Sequence, residues 1–251
     1  METNKIYNID VLEGLKQLED NSIDLIITSP PYNIGKMHSN HIQFGTYAGN
    51  DMEEKEYQVW QVKILDECFR VLKQYGSMFY NHKVRIKNGL AIHPLEWVSK
   101  SKFLLKQELV WNQKKSANSD KIRFFPYTER IYWLVKNKDV KANNKLSLSD
   151  CWDIVPTNKR KDNNHIAVMP EKVVENILSA FEGKIVLDIF SGYATTLLVA
   201  KQKDREFIGF EINPEFIKIA EERLTKLNDG NDGIPPKDKG MSSEELKEVL
   251  K

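Results

Sequence analysis

Cysteine is scarce: Cys68 and Cys151 are the two in 251 residues, too few for a disulfide framework and at no metal-ligand spacing. A reducing cytoplasm is the simplest compartment for such a chain. Long apolar runs are also missing. No stretch approaches the roughly 18 uninterrupted apolar residues of a membrane span, and the N-terminus carries no apolar signal segment. A soluble protein without membrane partners is expected. There is no large excess of either charge, since the net value is +1, so basic character has to be sought locally. Metal chemistry finds little support, because His38 and His41 lack cysteine or carboxylate ligands at suitable spacing nearby.

What is present is the material of a folded globule, with 41% apolar and 10% aromatic residues in a length that suits one large domain with a small appendage. The stretch Asp24-Leu25-Ile26-Ile27-Thr28-Ser29-Pro30-Pro31-Tyr32-Asn33 is the most informative. A β-branched apolar run that stops at a serine, two prolines and a tyrosine reads as a buried strand feeding a rigid loop. Proline fixes φ and has no amide proton, so the Ser29 and Pro30 carbonyls are expected to be held in one orientation as acceptors. Acceptors beside the Tyr32 ring suit a planar group that carries an amine, such as a nucleobase.

A second stretch runs Ile185-Val186-Leu187-Asp188-Ile189-Phe190-Ser191-Gly192-Tyr193-Ala194-Thr195-Thr196 and on through Phe207 to Glu211-Ile212-Asn213. It reads strand, glycine turn, helix, then a strand ending in an acid, which is the layout of a nucleotide-type cofactor site in a doubly wound sheet. Gly192 lets a ligand approach the backbone, and Glu211 is placed to take ribose hydroxyls.

Ser29-Pro30-Pro31-Tyr32 resembles the catalytic loop of DNA methyltransferases that modify exocyclic amines, the N6 of adenine or the N4 of cytosine. The turn at Asp188 to Thr196 is similar to the S-adenosylmethionine site of the same family, usually Asp-Pro-Phe-x-Gly-Ser-Gly-Thr-Thr, with Ile189, Tyr193 and Ala194 as departures. Alanine prefers negative φ, so a tighter turn or a more weakly bound cofactor is expected at Ala194. The loop precedes the turn, an order that looks like the β subclass of amino-methyltransferases. Glutamine methyltransferases have the reverse order and an asparagine in place of Ser29.

The resemblance covers about Ile6 to Leu227 and implies a class I methyltransferase, a Rossmann-like α/β fold with a mostly parallel doubly wound sheet. It places catalysis on Ser29, Pro30, Pro31 and Tyr32, and the cofactor S-adenosylmethionine on Asp10, Val11, His165, Asp188, Phe190, Ser191, Gly192, Thr195, Glu211 and Ile212. Asp10 also suits the N-cap of the helix that follows it, and Pro170 and Glu171 suit a helix's first turn.

Polar, cationic insertions at about 112–128 and 136–164 read as target-recognition loops. Lys83, Arg85, Lys114, Lys115, Arg123 and Arg160 are the expected DNA contacts, with a surface connection as the plain alternative. Residues 1–227 form the expected catalytic domain, and 228–251 a linker and short terminal helix. The 33–52 loop reads as a lid.

The expected partners are double-stranded DNA and a cognate restriction endonuclease; monomer and dimer both stay open. Ser29 tips the target toward cytosine N4, with adenine N6 as the alternative. Two other classes stand beside this reading: a DNA-binding protein that has lost catalysis, and a dinucleotide oxidoreductase in which the Ser29–Tyr32 loop would be idle.

Overall fold

The computed structural model describes residues 1–34, 51–114, 123–143, 145–156 and 168–228. Eight strands form one sheet in the order β1-β10-β9-β2-β3-β7-β6-β8. In chain order these are β1 (Lys5–Asn8), β2 (Ile23–Thr28), β3 (Leu72–His82), β6 (Leu104–Asn112), β7 (Thr128–Val135), β8 (Cys151–Asp153), β9 (Ile185–Asp188) and β10 (Glu206–Glu211). A hairpin of β4 (Arg85–Lys87) and β5 (Leu90–Ile92) stands apart. The helices are α1 (Val11–Lys16), α2 (Glu54–Val71), α3 (Leu95–Val98), α4 (Glu171–Ala180), α5 (Thr195–Gln202) and α6 (Pro214–Asn228).

Alternation within the strands sorts their side chains onto two faces. Leu25, Ile27, Phe79 and Val186 pack with α4, α5 and α6, whereas Ile26, Met78, Tyr80 and Leu187 pack with α1, α2 and α3. A sheet covered by helices on both faces must be apolar on both, which is why these strands read as continuous apolar runs. Glycine sets one close approach. A Cβ on Gly14 of α1 would lie 2.8 Å from the Phe210 ring, so only glycine lets this helix lie so close to β10.

All neighbours in the sheet run parallel except the pairings of β7 with β3 and with β6, so β7 alone runs the other way. Its reversal has a functional consequence. The carboxyl ends of β1, β10, β9, β2, β3 and β6 lie along one edge, and β7 brings its beginning, Thr128 and Glu129, to that same edge.

Helix α2 ends at Val71, because Leu72 turns extended and opens β3 directly. Helix α3 has four residues and follows Pro94. The 83–92 stretch holds the β4–β5 hairpin, and the 136–164 stretch, expected as a recognition loop, contains β8, whose Trp152 is buried against the core. All three strands are three residues long, too short to show periodicity. The lid apart from its ends, at 35–50, and all but the first residue of the 228–251 appendage lie outside the described residues.

Candidate active site

The two informative stretches become neighbours through β2 and β9, which pair as Leu25 with Val186 and Ile26 with Leu187. Both ends of the pair are fastened by side chains. At the start, Asp24 Oδ2 accepts from the Lys184 and Ile185 amides at 3.1 and 2.9 Å. At the finish, the Thr28 hydroxyl donates to Asp188 Oδ1 at 2.8 Å. Asp188 also accepts from the Phe190 amide at 3.1 Å and from the Thr196 hydroxyl. Burial raises its carboxyl to about 6 despite these donors.

On one side of this junction lie the acids and the glycine turn. Gly192 has φ +48°, and a Cβ placed on it would meet nothing within 4 Å, so the turn presents open backbone. Its amide donates to Glu211 Oε2 at 2.9 Å, and the Asn213 amide donates to Glu211 Oε1 at 2.8 Å. Burial raises the Glu211 carboxyl, and the amides of Asn213, Gly192 and Ile212 oppose the shift. Ser191 fastens the turn to β10, its amide and hydroxyl both reaching the Phe210 carbonyl. Phe190 rests edge-on against Trp60 of α2 at 5.9 Å between ring centroids.

The expected tightening at Ala194 is overturned. Ala194 adopts φ 61°, ψ 33°, the left-handed conformation that a glycine would take, and caps α5. An alanine bears this at a cost of about 1–2 kcal/mol, and the surrounding bonds hold it there. Its amide donates to the Ser191 carbonyl, while its carbonyl accepts from Leu198.

Arg223, a residue the sequence did not single out, explains how the turn is held. From α6 its buried guanidinium donates to the Tyr193 carbonyl, to Thr195 Oγ1 at 3.3 Å, and to Glu171 Oε1 at 3.1 Å. Glu171, expected as a first-turn residue, therefore also anchors the clamp. Asp10 is half-buried at the end of β1 and caps α1, accepting from the Leu12 and Glu13 amides, so the capping expectation holds for this carboxylate. Val11 is buried, Ile212 is exposed, and Thr195 opens α5.

On the other side of the junction lies the Ser29–Tyr32 loop. Tyr32 Oη is 2.8 Å from Ser29 Oγ, and it lies within donating distance of Asn81 Oδ1 at 2.8 Å and Glu129 Oε2 at 3.0 Å. Ser29 Oγ also reaches Asn81 Oδ1 at 3.2 Å. The Pro31 carbonyl is engaged by the Tyr57 hydroxyl at 2.7 Å, whereas among the described residues no hydrogen bond is made to the Ser29 or Pro30 carbonyls. The Tyr32 ring lies 4.5 Å from that of His82, tilted by 38°. Burial pulls His82 down to about 3, so the imidazole is neutral.

Of the expected DNA contacts, Lys83 stands at this rim, its Nζ 5.6 Å from the Tyr32 ring centroid. Arg85 does not. It is buried, pairs with both oxygens of Glu54 at 2.8 Å, and lies over the Tyr57 and Trp97 rings, so its charge is spent inside the fold. Lys114 makes an exposed pair with Asp153 at 2.7 Å. Arg123 is exposed at the start of the Phe124–Tyr127 stretch, inside the expected 112–128 recognition loop, where Phe124 and Phe125 are also exposed. His165, Lys115 and Arg160 lie outside the described residues. No cluster of three or more histidine, cysteine or carboxylate groups suited to a metal occurs among the described residues.

A three-layer sheet with one reversed strand, and a glycine turn beside a Pro-Pro-Tyr loop at the strand ends, define a class I methyltransferase fold. The chain belongs to the DNA methylase family, whose model matches residues 23–222. It is 32% identical to the type II methyltransferase M.BglII of Bacillus subtilis, over 92% of this chain and 72% of that one. It is 30% identical to the DNA adenine methyltransferase YhdJ of Escherichia coli K12, over 89% of this chain and 83% of that one. The cytosine-N4-specific PvuII DNA methyltransferase superimposes with a TM-score of 0.73 at 20% identity, covering 99% of this chain and 92% of that structure. Membership makes this chain an S-adenosylmethionine-dependent DNA methyltransferase of the cytosine-N4 or adenine-N6 type.

Proposed function

We propose that the chain methylates the exocyclic amine of a base flipped out of double-stranded DNA, with cytosine N4 as the target, as the modification half of a restriction-modification pair. The observation that carries this reading is the Thr28–Asp188 hydrogen bond, which joins the strand ends that lead into the Ser29–Tyr32 loop and the Gly192 turn. An oxidoreductase would leave that loop without work.

The residues on the cofactor side fit a cationic nucleoside. Asp10, Asp188 and Glu211 supply carboxylates from three neighbouring strand ends, and the open face of Gly192 leaves room for a ligand against the backbone. S-adenosylmethionine supplies the electrophilic methyl group when bound. The chain's own part is to orient the nucleophile. An exocyclic amine is weak because its lone pair is delocalised into the ring. Donating its protons to Ser29 Oγ and the Pro30 carbonyl pyramidalises the nitrogen and turns the lone pair toward the methyl. Tyr32 offers a ring face for the base, which offsets part of the few kcal/mol of unstacking.

Ser29 offers a neutral acceptor that either amine could use; the resemblance to cytosine-N4 enzymes, in which serine is commoner at this position, favours cytosine, while the adenine methyltransferase among the relatives keeps N6 as the second reading. Lys83, Lys114 and Arg123 are proposed phosphate contacts, and the exposed Phe124 and Phe125 are apolar groups available to the opened duplex. Modified-base sequencing of DNA from a methylation-deficient host expressing the chain tests the reading. N4-methylcytosine at one short sequence is expected, and N6-methyladenine would move the target. Unmodified DNA that the chain still binds would leave a DNA-binding protein.

A further inference from the structure

We propose that Glu129 is the terminal acceptor of the proton that the target amine must lose, reached through Ser29 and Tyr32. The proposal rests on the methyltransferase reading above and adds a group that the strand-end motifs do not contain. Methylation leaves a positive charge on the amine nitrogen, and one proton has to go. Serine is no base, so Ser29 can only pass a proton on. Ser29 Oγ, Tyr32 Oη and Glu129 Oε2 form a continuous path with steps of 2.8 and 3.0 Å.

The balance is simple. The amine lone pair forms the N–CH3 bond as the S–CH3 bond breaks and leaves its electron pair on sulfur. The nitrogen then gives a proton to Ser29 Oγ, the Ser29 proton moves to Tyr32 Oη, and the Tyr32 proton moves to Glu129. One positive and one negative charge are removed, and both hydroxyls are restored as neutral groups.

The surroundings are built for this. Glu129 is only 9% exposed, at the start of β7, opposite Trp111 of β6. Burial raises its carboxyl, while Lys83 from beyond β3 and the side chains of Tyr32, Asn81 and Gln113 hold it back. Burial also pushes the Tyr32 phenol well above its ordinary range, with Glu129 adding to the shift, so Tyr32 keeps its proton and serves as a conduit. The Asn81 amide donates to the Arg130 carbonyl at 3.1 Å, which turns its oxygen toward Ser29 and Tyr32 and fixes the path.

The test uses the full chain and DNA carrying the sequence mapped by modified-base sequencing. Glu129→Gln is expected to lower the single-turnover methylation rate about 100-fold with little change in KM for DNA. It should also abolish the acidic limb of the pH–rate profile, which in the parent falls as pH drops and Glu129 is protonated. Tyr32→Phe keeps the ring and breaks the path; it should lose a similar factor, and the double variant should be no slower than either. A readout without turnover is infrared titration of the protein alone, where the protonated-carboxyl band of Glu129 should be missing in Glu129→Gln. A parent-like rate, or an acidic limb that persists in Glu129→Gln, overturns the relay. If the parent itself methylates no DNA, the functional reading fails instead. If Glu129→Gln does not fold, Tyr32→Phe decides: a parent-like rate overturns the relay.

Discussion

Thr28 and Asp188, 160 positions apart in the chain, share a 2.8 Å hydrogen bond between the ends of two adjacent strands. The bond couples the Ser29–Tyr32 loop to the Gly192 turn, because Thr28 immediately precedes Ser29 and Asp188 leads into Phe190 and Ser191. At the other end of the same strand pair, Asp24 takes two amides of the Lys184–Ile185 segment. Neither loop can shift along its strand without breaking one of these fastenings.

Asp188 is costly to keep charged. Its carboxyl is raised to about 6 in the folded protein, whereas an unfolded chain would ionise near 3.9. Between roughly those values the folded state binds more protons, so stability falls as pH rises through the window and stays low above it. Asp188→Asn retains an oxygen for Thr28 and Phe190, and its amine can face Thr196. It should raise stability at pH 7 by on the order of 2 kcal/mol, remove this slope, and weaken cofactor binding. Urea titrations at several pH values and a cofactor titration read all three. A variant less stable at pH 7 with the slope intact would show the shift is absent.

Ala194 sits where only glycine is comfortable, yet replacing it by glycine should gain little. Relief of about 1–2 kcal/mol is offset by roughly 0.5–1 kcal/mol of backbone entropy and about 0.8 kcal/mol for a lost buried methyl. A stability change within about 0.5 kcal/mol is expected. Ala194→Val, with a branched Cβ at positive φ, should cost at least about 2 kcal/mol and lower Tm by roughly 4–8 °C. Equal melting of the two variants would refute this account of the turn.

Arg223 carries the turn on its guanidinium. Arg223→Ala leaves the Tyr193 carbonyl without this donor and should cost about 2 kcal/mol of stability, and weaken cofactor binding by about tenfold, equivalent to 1.4 kcal/mol. Glu171→Gln keeps an acceptor for the guanidinium and should do less on both counts. Isothermal titration with the cofactor checks the ranking, and an unchanged Kd in Arg223→Ala would remove the clamp from the site.

Lys83 and Arg85, two residues apart, should separate cleanly. Lys83→Ala is expected to weaken DNA binding across sequences and reduce the salt slope of log K by about 1. Arg85→Ala should leave the salt slope alone and cost about 3 kcal/mol of stability by stranding Glu54. A reduced salt slope in Arg85→Ala, measured by fluorescence anisotropy, would return that arginine to the DNA.

The amino-acid sequence by itself determined the parallel strands and the two loops that follow them. Runs such as Leu25–Ile27 and Val186–Leu187 are apolar on both faces, and Pro30, Pro31 and Gly192 set local backbone by covalent geometry alone. Tertiary structure decided which charged groups serve the site. Arg85 looks like Lys83 in sequence, but β4 turns it inward onto Glu54 and two aromatic rings. Ala194 takes positive φ because Ser191, Leu198 and the Arg223 clamp hold its surroundings. Glu129 and Arg223 carried no signal of their own, one being an acid at the start of a strand and the other a cation on an amphipathic helix. Glu129 reaches Tyr32 only because β7 runs against its neighbours, and strand direction is fixed by pairings between residues far apart in the chain.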